Sequence, residues 1–240
     1  MTLPFLSIII PAHNEERRLP QTLEQVLLFA SNQTFQTEVL IVENASQDRT
    51  LELATEYATR HPNLVKVLHL DLPGKGRAVQ LGMNEARGEY RFFADADFSM
   101  PVSEITRFLP PMVEIPIAIA SREAPGAVRY NEPPFRHLTG RVFNLLIRKL
   151  VLPDLNDTQC GFKMFRADAA GEIFRRQTLM GWSFDVELLV IAGHLKYPIL
   201  EIPIPWYFNP ESKVHVFRDS WRMFLDLLTI RRNGRAGIYD

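Results

Sequence analysis

A chain of 240 residues, 46% hydrophobic and 23% charged, can bury a sizeable core and is too apolar to be disordered. A net charge of −1 gives no global attraction to nucleic acid, and a single cysteine, Cys160, excludes an internal disulfide and fits a reducing compartment. No stretch approaches the ~20 uninterrupted apolar residues that cross a bilayer, and Met1-Thr2-Leu3-Pro4 does not open a signal peptide, so a soluble or membrane-surface protein is expected.

Phe5 to Pro11 is a β-branched run closed by proline and reads as a buried parallel strand. Ala12-His13-Asn14-Glu15-Glu16 follows as a polar loop at its end. It suits either a helix start with Asn14 as N-cap or a wall for a base and ribose. Leu19, Leu23, Val26, Leu27 and Ala30 form a helical stripe, and Val39 to Val42 is a second strand running into the polar segment Glu43 to Thr50. A helix over Thr50 to Arg60 leads to a third strand, Val65 to Leu68. Three strand, loop and helix units in succession predict right-handed parallel crossovers, the nucleotide-binding half of a doubly wound α/β fold. Pro73-Gly74-Lys75-Gly76-Arg77 then opens a helix from Ala78 to Ala86. Its glycines would let the backbone approach an anion, with Lys75 and Arg77 supplying charge at a helix N-terminus; a flexible surface turn is the other reading.

Tyr90 to Ala94 reads as the end of a buried strand, and the period of two places Asp95 and Asp97 on one side of the backbone where that strand runs out. Two carboxylates there are hard-oxygen ligands for Mg²⁺ or Mn²⁺, which keep waters and are completed by substrate phosphates. The implied ligand is a diphosphate. Solvated turn acids are the plain alternative, but open α/β sheets bind ligands outside the carboxyl ends of their strands.

Val102 to Met112 predicts a helix behind the acids, and Ile115 to Ala120 a strand ending at Ser121-Arg122. Glu123 to Pro134 is a long loop carrying Arg129 and Tyr130. A helix over Leu138 to Leu150 has Arg136, Arg141, Arg148 and Lys149 around an apolar face of Val142, Leu145, Leu146 and Leu150. Asp157 to Lys163 reads as a compact polar turn. Ser183 to Leu195 predicts a helix buried along Phe184, Leu188, Ile191 and Leu195, with Asp185 in its first turn, where the helix dipole alone would favour it. Ile199 to Trp206, interrupted by Pro203 and Pro205, reads as an edge strand, and Asn209 to Lys213 as a turn. Trp221, Phe224, Leu225, Leu228 and Ile230, flanked by Arg218, Arg222, Arg231 and Arg232, suit an interfacial helix or, equally, a core helix. No break in composition marks a second domain.

In order along the chain, Ser7-Ile8-Ile9-Ile10-Pro11-Ala12-His13-Asn14-Glu15-Glu16, Val42 to Thr50, Gly74-Lys75-Gly76-Arg77-Ala78 and Asp95-Ala96-Asp97 resemble glycosyltransferase family 2. Asp157-Thr158-Gln159-Cys160-Gly161-Phe162-Lys163, Phe184 to Leu189 and Glu211-Ser212-Lys213 resemble its dolichyl-phosphate β-glucosyltransferase and polyprenyl-phosphate mannosyltransferase branch. The resemblance implies a single GT-A domain over 1–240, an α/β fold with a Rossmann-like, mostly parallel sheet flanked by helices. Residues 1–100 would form the nucleotide-binding half, 101–215 the acceptor side, and 216–240 an amphipathic, membrane-interfacial segment. It also implies a nucleotide-sugar donor, a divalent cation (Mg²⁺ or Mn²⁺) and inversion at the anomeric carbon. Pro11, Ala12, Asn14 and Glu15 would line the nucleoside pocket, with Glu43 in the base-contacting place. Asp95 would face ribose and diphosphate, and Asp97 would ligate the metal, with Asp95 beside it. Two departures stand out: Glu43-Asn44-Ala45-Ser46 replaces the family's Asp-Asp-Gly-Ser, and Ser99 stands where the mannosyltransferases carry a glutamine.

The reaction so implied is a single displacement, best matched by transfer of glucose from UDP-glucose to a polyprenyl or dolichyl phosphate. The cation, Lys213 and Arg77 would stabilise the departing diphosphate, with Lys75 also on the donor. Arg122, Arg136 and Arg141 would grip the acceptor phosphate. Asp157 or Asp185 would orient the nucleophile, or act as base if the acceptor were a sugar hydroxyl. GDP-mannose as donor, a sugar nucleotidyltransferase and a nucleotide-sugar sensor are the alternatives. The expected partners are a nucleotide sugar, a lipid phosphate and a peripheral membrane contact, with no nucleic acid, at the cytoplasmic membrane face.

Overall fold

A computed structural model of the chain describes residues 3–209 and 216–240. The apolar runs of the first half become four parallel strands: β1 (Leu6–Ala12), β2 (Thr37–Asn44), β3 (Val65–Leu70) and β4 (Tyr90–Ala94). Helices α1 (Leu19–Ser31), α2 (Thr50–Arg60) and α3 (Lys75–Glu85) cross between them. Side chains alternate across β1, so Leu6, Ile8 and Ile10 join the core under α1 and α2, while Ile9 packs with Val79 and Met83 of α3 on the opposite face.

After β4 the chain makes a 3-10 helix over Val102–Phe108, shorter than the predicted helix to Met112 because Pro110 and Pro111 cut it off. It then forms β5 (Ile117–Ser121), a short β6 (Val128–Tyr130) inside the predicted loop, and α4 (Pro134–Leu150), which starts four residues earlier than its apolar pattern suggested. Next come β7 (Phe162–Arg166), α5 (Ala167–Arg176), α6 (Phe184–His194), β8 (Ile199–Pro203), β9 (Pro205–Tyr207) and α7 (Val216–Arg235). The main sheet runs β3-β2-β1-β4-β7-β5-β8, and β7 is antiparallel to both its neighbours. Reversal of β7 has a direct consequence: Ala94 pairs with Phe162, so the segment before β7 arrives at the same sheet edge as the acids after β4. The expected edge strand Ile199 to Trp206 splits at its prolines. β8 forms the edge of the main sheet, and β9 pairs with β6 in a separate two-stranded sheet where Tyr130 and Tyr207 stack at 4.6 Å.

Helix α6 is buried on every side from Phe184 to Ala192, rather than along one stripe, because α3, α5 and α7 pack around it. That encloses Glu187, whose carboxylate accepts from the backbone N–H of Thr178 and Leu179, the Thr178 hydroxyl and the Tyr239 hydroxyl (2.8 Å). Helices α4 and α7 divide their apolar residues. Ile147 of α4 and Leu227 and Ile230 of α7 are buried, whereas Phe135, Val142, Leu145, Trp221, Leu225 and Leu228 are exposed. Val142 and Leu145 therefore face outward, not into the apolar face read from sequence, and α7 buries Leu227 and Ile230 while Trp221, Leu225 and Leu228 stay exposed. Among the described residues no helix is long and apolar enough to cross a membrane.

Replacing Tyr239 by Phe removes one donor from the buried Glu187 carboxylate. A loss of about 2 kcal/mol is expected, measured as a lower urea midpoint at unchanged slope.

Candidate active site

The acids sit on a turn pinned from three sides. Asp95 N–H donates to Gly161 O (3.1 Å), the Thr22 hydroxyl of α1 donates to Ala96 O (2.6 Å), and Tyr207 N–H of β9 donates to Ser99 O (2.8 Å). Phe98 adopts φ 37° between them, its ring edge-on to Phe162 at 5.6 Å. A non-glycine residue there is strained, and packing of this kind is what holds such a conformation. Ser99 N–H donates to Asp97 Oδ1 (3.2 Å). Gly161 is required: a Cβ at that position would lie 2.0 Å from Asp95 Oδ2.

Cations from two elements reach these acids, and a third pairs with the neighbouring Asp185. Lys75 Nζ, on the first residue of α3, is 2.6 Å from Asp95 Oδ1, yet out of line, so that buried oxygen has no hydrogen-bond partner. Arg18 approaches Asp97 to 3.9 Å while forming a two-pronged pair with Glu15. Lys163, fully buried on β7, donates to Asp185 Oδ1 and to Cys160 O, both at 2.6 Å. Burial opposes the Lys75 ammonium, but Asp95, Asp185 and Asp97 outweigh it and hold its pKa above the ordinary value. Burial, then the neighbouring Asp95, pushes the Asp97 carboxyl up, and burial raises Asp185 despite Lys163.

The Gly-x-Gly segment has a different neighbour from the anion expected. A Cβ on Gly74 would meet Met180 O at 2.6 Å, and one on Gly76 would meet Phe184 Cβ at 2.7 Å and Leu179 O at 2.8 Å. The glycines let α3 start against the 177–183 loop, where Arg77 N–H donates to Met180 O and Gln177 Nε2 to Gly76 O. The helix consequently begins at Lys75 rather than Ala78. Arg77 Nε is left buried without a hydrogen-bond partner, and Trp182, from the same loop, sets its ring 5.4 Å from Lys75 Nζ.

The ends of β1, β2 and β3 form the wall read as a nucleoside pocket. Asn14 is not an N-cap, since α1 begins only at Leu19. It takes φ 53°, accepts from Gln47 N–H at Oδ1 (2.7 Å) and donates its own N–H to the Ser46 hydroxyl. Pro11 and Ala12 end β1, with Pro11 partly exposed and Ala12 buried, and Glu15 N–H donates to the Thr50 hydroxyl. Glu43 is buried, with its oxygens on Ser46 N–H (2.6 Å) and His69 Nδ1 (2.5 Å). His69, drawn to Glu43 first and to Asp71 less, has its pKa raised. Ala45 occupies φ 52°, where the family's glycine would be unstrained.

On the other side of the acids stands an arginine and aromatic wall. Arg122 is gripped by Asp157 through Nε (2.7 Å), Nη2 (2.9 Å) and its backbone N–H (2.9 Å). Arg122 and Arg129 lie over the Trp206 ring at 5.5 and 5.8 Å, and Arg136 over Phe208 at 5.0 Å. Burial lowers the Arg136 pKa and Arg122 lowers it further, while Asp97 acts in the opposite sense across the site. Arg141 is exposed, about 140° round α4 from Arg136. Glu211, Ser212 and Lys213 lie outside the described residues.

Among the described residues no group of three or more His, Cys, Asp or Glu gathers to hold an ion. Asp95 and Asp97 nonetheless fit a divalent cation. Both offer hard oxygens from one turn, Asp95 Oδ1 is buried and lacks a hydrogen-bond partner, and one or two carboxylates are what Mg²⁺ takes when phosphates complete its shell.

Residues 7–174 match the profile of the family described as glycosyl transferase family 2. The chain belongs to that family. Within family 2, it is 35% identical to the dolichyl-phosphate beta-glucosyltransferase of Drosophila melanogaster, over 94% of this chain and 74% of that protein. It is 34% identical to the Homo sapiens enzyme of the same name, over 98% and 77%, and 32% identical to the ALG5C enzyme of Trichomonas vaginalis, over 98% and 73%. It is thus a glycosyltransferase. Among solved structures, glucosyl-3-phosphoglycerate synthase from Mycobacterium tuberculosis superposes with a TM-score of 0.68 at 15% identity, covering 95% of this chain and 80% of that one. A complex of the same synthase holds Mn²⁺, uridine diphosphate and its product, at a TM-score of 0.67 and 16% identity over the same shares. At that identity the likeness is one of fold, the GT-A fold of family 2.

Lys163, Arg18, Trp182, Gly161 and Trp206 were not singled out from sequence as site residues. Only Gly161 and Lys163 carried a signal, lying inside the motif from Asp157 to Lys163.

Asp157 yields a pH prediction. Burial would raise its carboxyl, but the charge and hydrogen bonds of Arg122 prevail and hold it at about 2, below its ordinary 3.8. A depressed carboxyl pKa contributes stability that is complete above the unfolded value, near pH 4, and lost as pH falls through about 2; here it is worth ~2.5 kcal/mol. Asp157→Asn should cost about 3 kcal/mol at pH 7 in urea titrations and flatten the acid limb between pH 4 and 2.

Proposed function

We propose that this enzyme transfers glucose from UDP-glucose to a polyprenyl phosphate of the dolichyl type, with inversion and with Mg²⁺ or Mn²⁺ on Asp95 and Asp97. The observation that carries the reading is the pairing of an acid turn with an arginine and aromatic wall beside it, joined where Tyr207 N–H donates to Ser99 O. The named relatives, which are dolichyl-phosphate beta-glucosyltransferases, supply the sugar and acceptor class.

In this reading the first hundred residues hold the donor, within one domain. The ends of β1 and β2 enclose the nucleoside, and Lys75 and Arg77 face its diphosphate. A bound divalent cation would supply electrostatic stabilisation of the departing nucleoside diphosphate. Arg136, with Arg122 and Arg129 behind it on Trp206, orients the acceptor phosphate. An oxygen of that phosphate attacks the anomeric carbon from the face opposite the leaving group, and the bond from that carbon to the diphosphate oxygen breaks. A phosphate monoester is already ionised near neutral pH, so no base has to take its proton. That requirement suits the site: Asp157 is held ionised by Arg122, and Asp185 Oδ1 accepts from Lys163, so neither stands as an unengaged base. Asp157 and Asp185 therefore position cations rather than move protons.

Docking at the cytoplasmic membrane face is part of this reading, and the exposed faces of α4 and α7 support a membrane contact. Phe135, Val142, Leu145, Trp221, Leu225 and Leu228 are exposed on two helices that touch each other, with Arg141, Arg148, Lys149, Arg222, Arg231 and Arg232 exposed on the same helices. Apolar side chains bordered by arginine and lysine suit an anionic lipid interface.

Incubation with UDP-[¹⁴C]glucose, Mg²⁺ and dolichyl phosphate should give an acid-labile labelled lipid. Asp97→Ala should lower its formation by at least about 100-fold. Label found only in a water-soluble glycoside, or faster turnover of GDP-mannose, would overturn the acceptor or the donor respectively. Anionic vesicles should sediment the protein, and Trp221→Glu with Leu225→Glu should weaken that binding about tenfold or more; equal sedimentation of the double variant would count against the docking face.

A further inference from the structure

The site is crowded with charge of both signs, and the pairing is uneven. Asp185 is matched by the buried Lys163, which also donates to Cys160 O and so is held from two directions. Arg18 is shared, its two prongs on Glu15 and only its third nitrogen within 3.9 Å of Asp97. Lys75 differs from both. Its ammonium is 2.6 Å from Asp95 Oδ1 but off the line of a hydrogen bond, it is four-fifths buried, and the face of Trp182 lies 5.4 Å away. Among the described residues Lys75 is the cation that touches the proposed metal-binding acids without an aligned hydrogen bond to fix it there.

We infer that Lys75 is a counter-cation that holds Asp95 while the site is empty and passes to the donor's diphosphate on binding, so that the acid pair gains strong affinity for a divalent cation only together with the nucleotide. The inference rests on reading Asp95 and Asp97 as the seat of the metal-bound diphosphate. Its physical basis is competition for one oxygen. An ammonium against Asp95 Oδ1 repels a divalent cation that approaches the same oxygen, so an ion arriving alone competes with a lysine whose charge already neutralises that carboxylate. A diphosphate changes the balance, because it offers the ammonium a second and more highly charged partner, near the positive end of the α3 dipole. Lysine suits such a transfer, being a compact charge on a flexible stem that needs no fixed hydrogen-bond geometry. The Trp182 face gives the ammonium a favourable surface beside its path. The start of the helix itself need not move, because Gly74 and Gly76 fix it against the 177–183 loop.

Two opposite effects are expected of one substitution. Lys75→Met keeps the stem and removes the charge. Without nucleotide it should bind Mn²⁺ at least tenfold more tightly than the unaltered enzyme, by electron paramagnetic resonance titration of free Mn²⁺. In the presence of Mn²⁺ it should bind UDP-glucose at least tenfold more weakly by calorimetry. Lys75→Arg, which keeps the charge, should retain the weak metal affinity of the empty enzyme, and melting curves of both variants report folding. Mn²⁺ affinity of folded Lys75→Met that is equal to or weaker than that of the unaltered enzyme would overturn the inference, even if Mn²⁺ and UDP-glucose still enhance each other's binding through Asp97. Mn²⁺ binding that is indifferent to both UDP-glucose and Asp97→Ala would instead overturn the metal reading, and the inference with it. Should Lys75→Met not fold, tight nucleotide-free Mn²⁺ binding by Lys75→Gln supports the inference, and its absence overturns it.

Discussion

The structure depends on placing four carboxylates at one end of a sheet, in surroundings where water is scarce, and matching each with a cation from a different element. Asp95 meets Lys75 of α3, Asp185 meets Lys163 of β7, Asp157 meets Arg122 after β5, and Asp97 meets Arg18 before α1. Buried ion pairs of this kind contribute little net stability beyond what apolar residues of the same size would give, because both charges are desolvated. What they fix is position. The free energy that holds them comes from the two apolar layers on either side of the sheet, built on residues such as Ile8 and Phe92 on one face and Ile9 and Phe93 on the other.

The antiparallel β7 makes this arrangement possible. A parallel strand in its place would have delivered its N-terminal approach to the far edge of the sheet. Because β7 is reversed, Asp157, Cys160 and Gly161 reach the acid turn, Gly161 O holds Asp95 N–H, and the missing Cβ leaves room for the Asp95 carboxylate. The 177–183 loop joins the opposite side of the site to the C-terminal helix. It supports the start of α3 through Gln177 and Met180, and it is held from behind by Glu187, by Tyr239 through that carboxylate, and by Asp226 of α7 through the Ser183 hydroxyl. The helix that presents Trp221 and Leu225 outward is thereby tied to the one that carries Lys75.

Helix α4 shows a similar economy. Arg136 lies over Phe208, on the chain that continues β9, while Phe135 and Val142 point outward. One helix thus carries a phosphate-binding candidate on one side and a lipid-facing candidate on another, which is the geometry an acceptor with a charged head and an apolar tail would require.

Much of the first half was legible because its information is local. An apolar run closed by a polar segment specifies a buried strand and its end, so β1, β2, β4 and α2 lie close to where the residues placed them, and Asp95 and Asp97 could be located just past the end of β4 from the local pattern. The second half was less legible, since its decisive contacts join segments far apart in sequence. Nothing in Phe162 to Arg166 announces an antiparallel strand inserted between β4 and β5, and the apolar residues of α4 and α6 do not say how many neighbours will surround each helix. Residue types fixed which chemistry was available: hard oxygens, guanidinium groups and glycines. Only the tertiary structure decided which charge meets which, because an ion pair depends on a few ångströms between side chains that the sheet order, and not the local pattern, brings together.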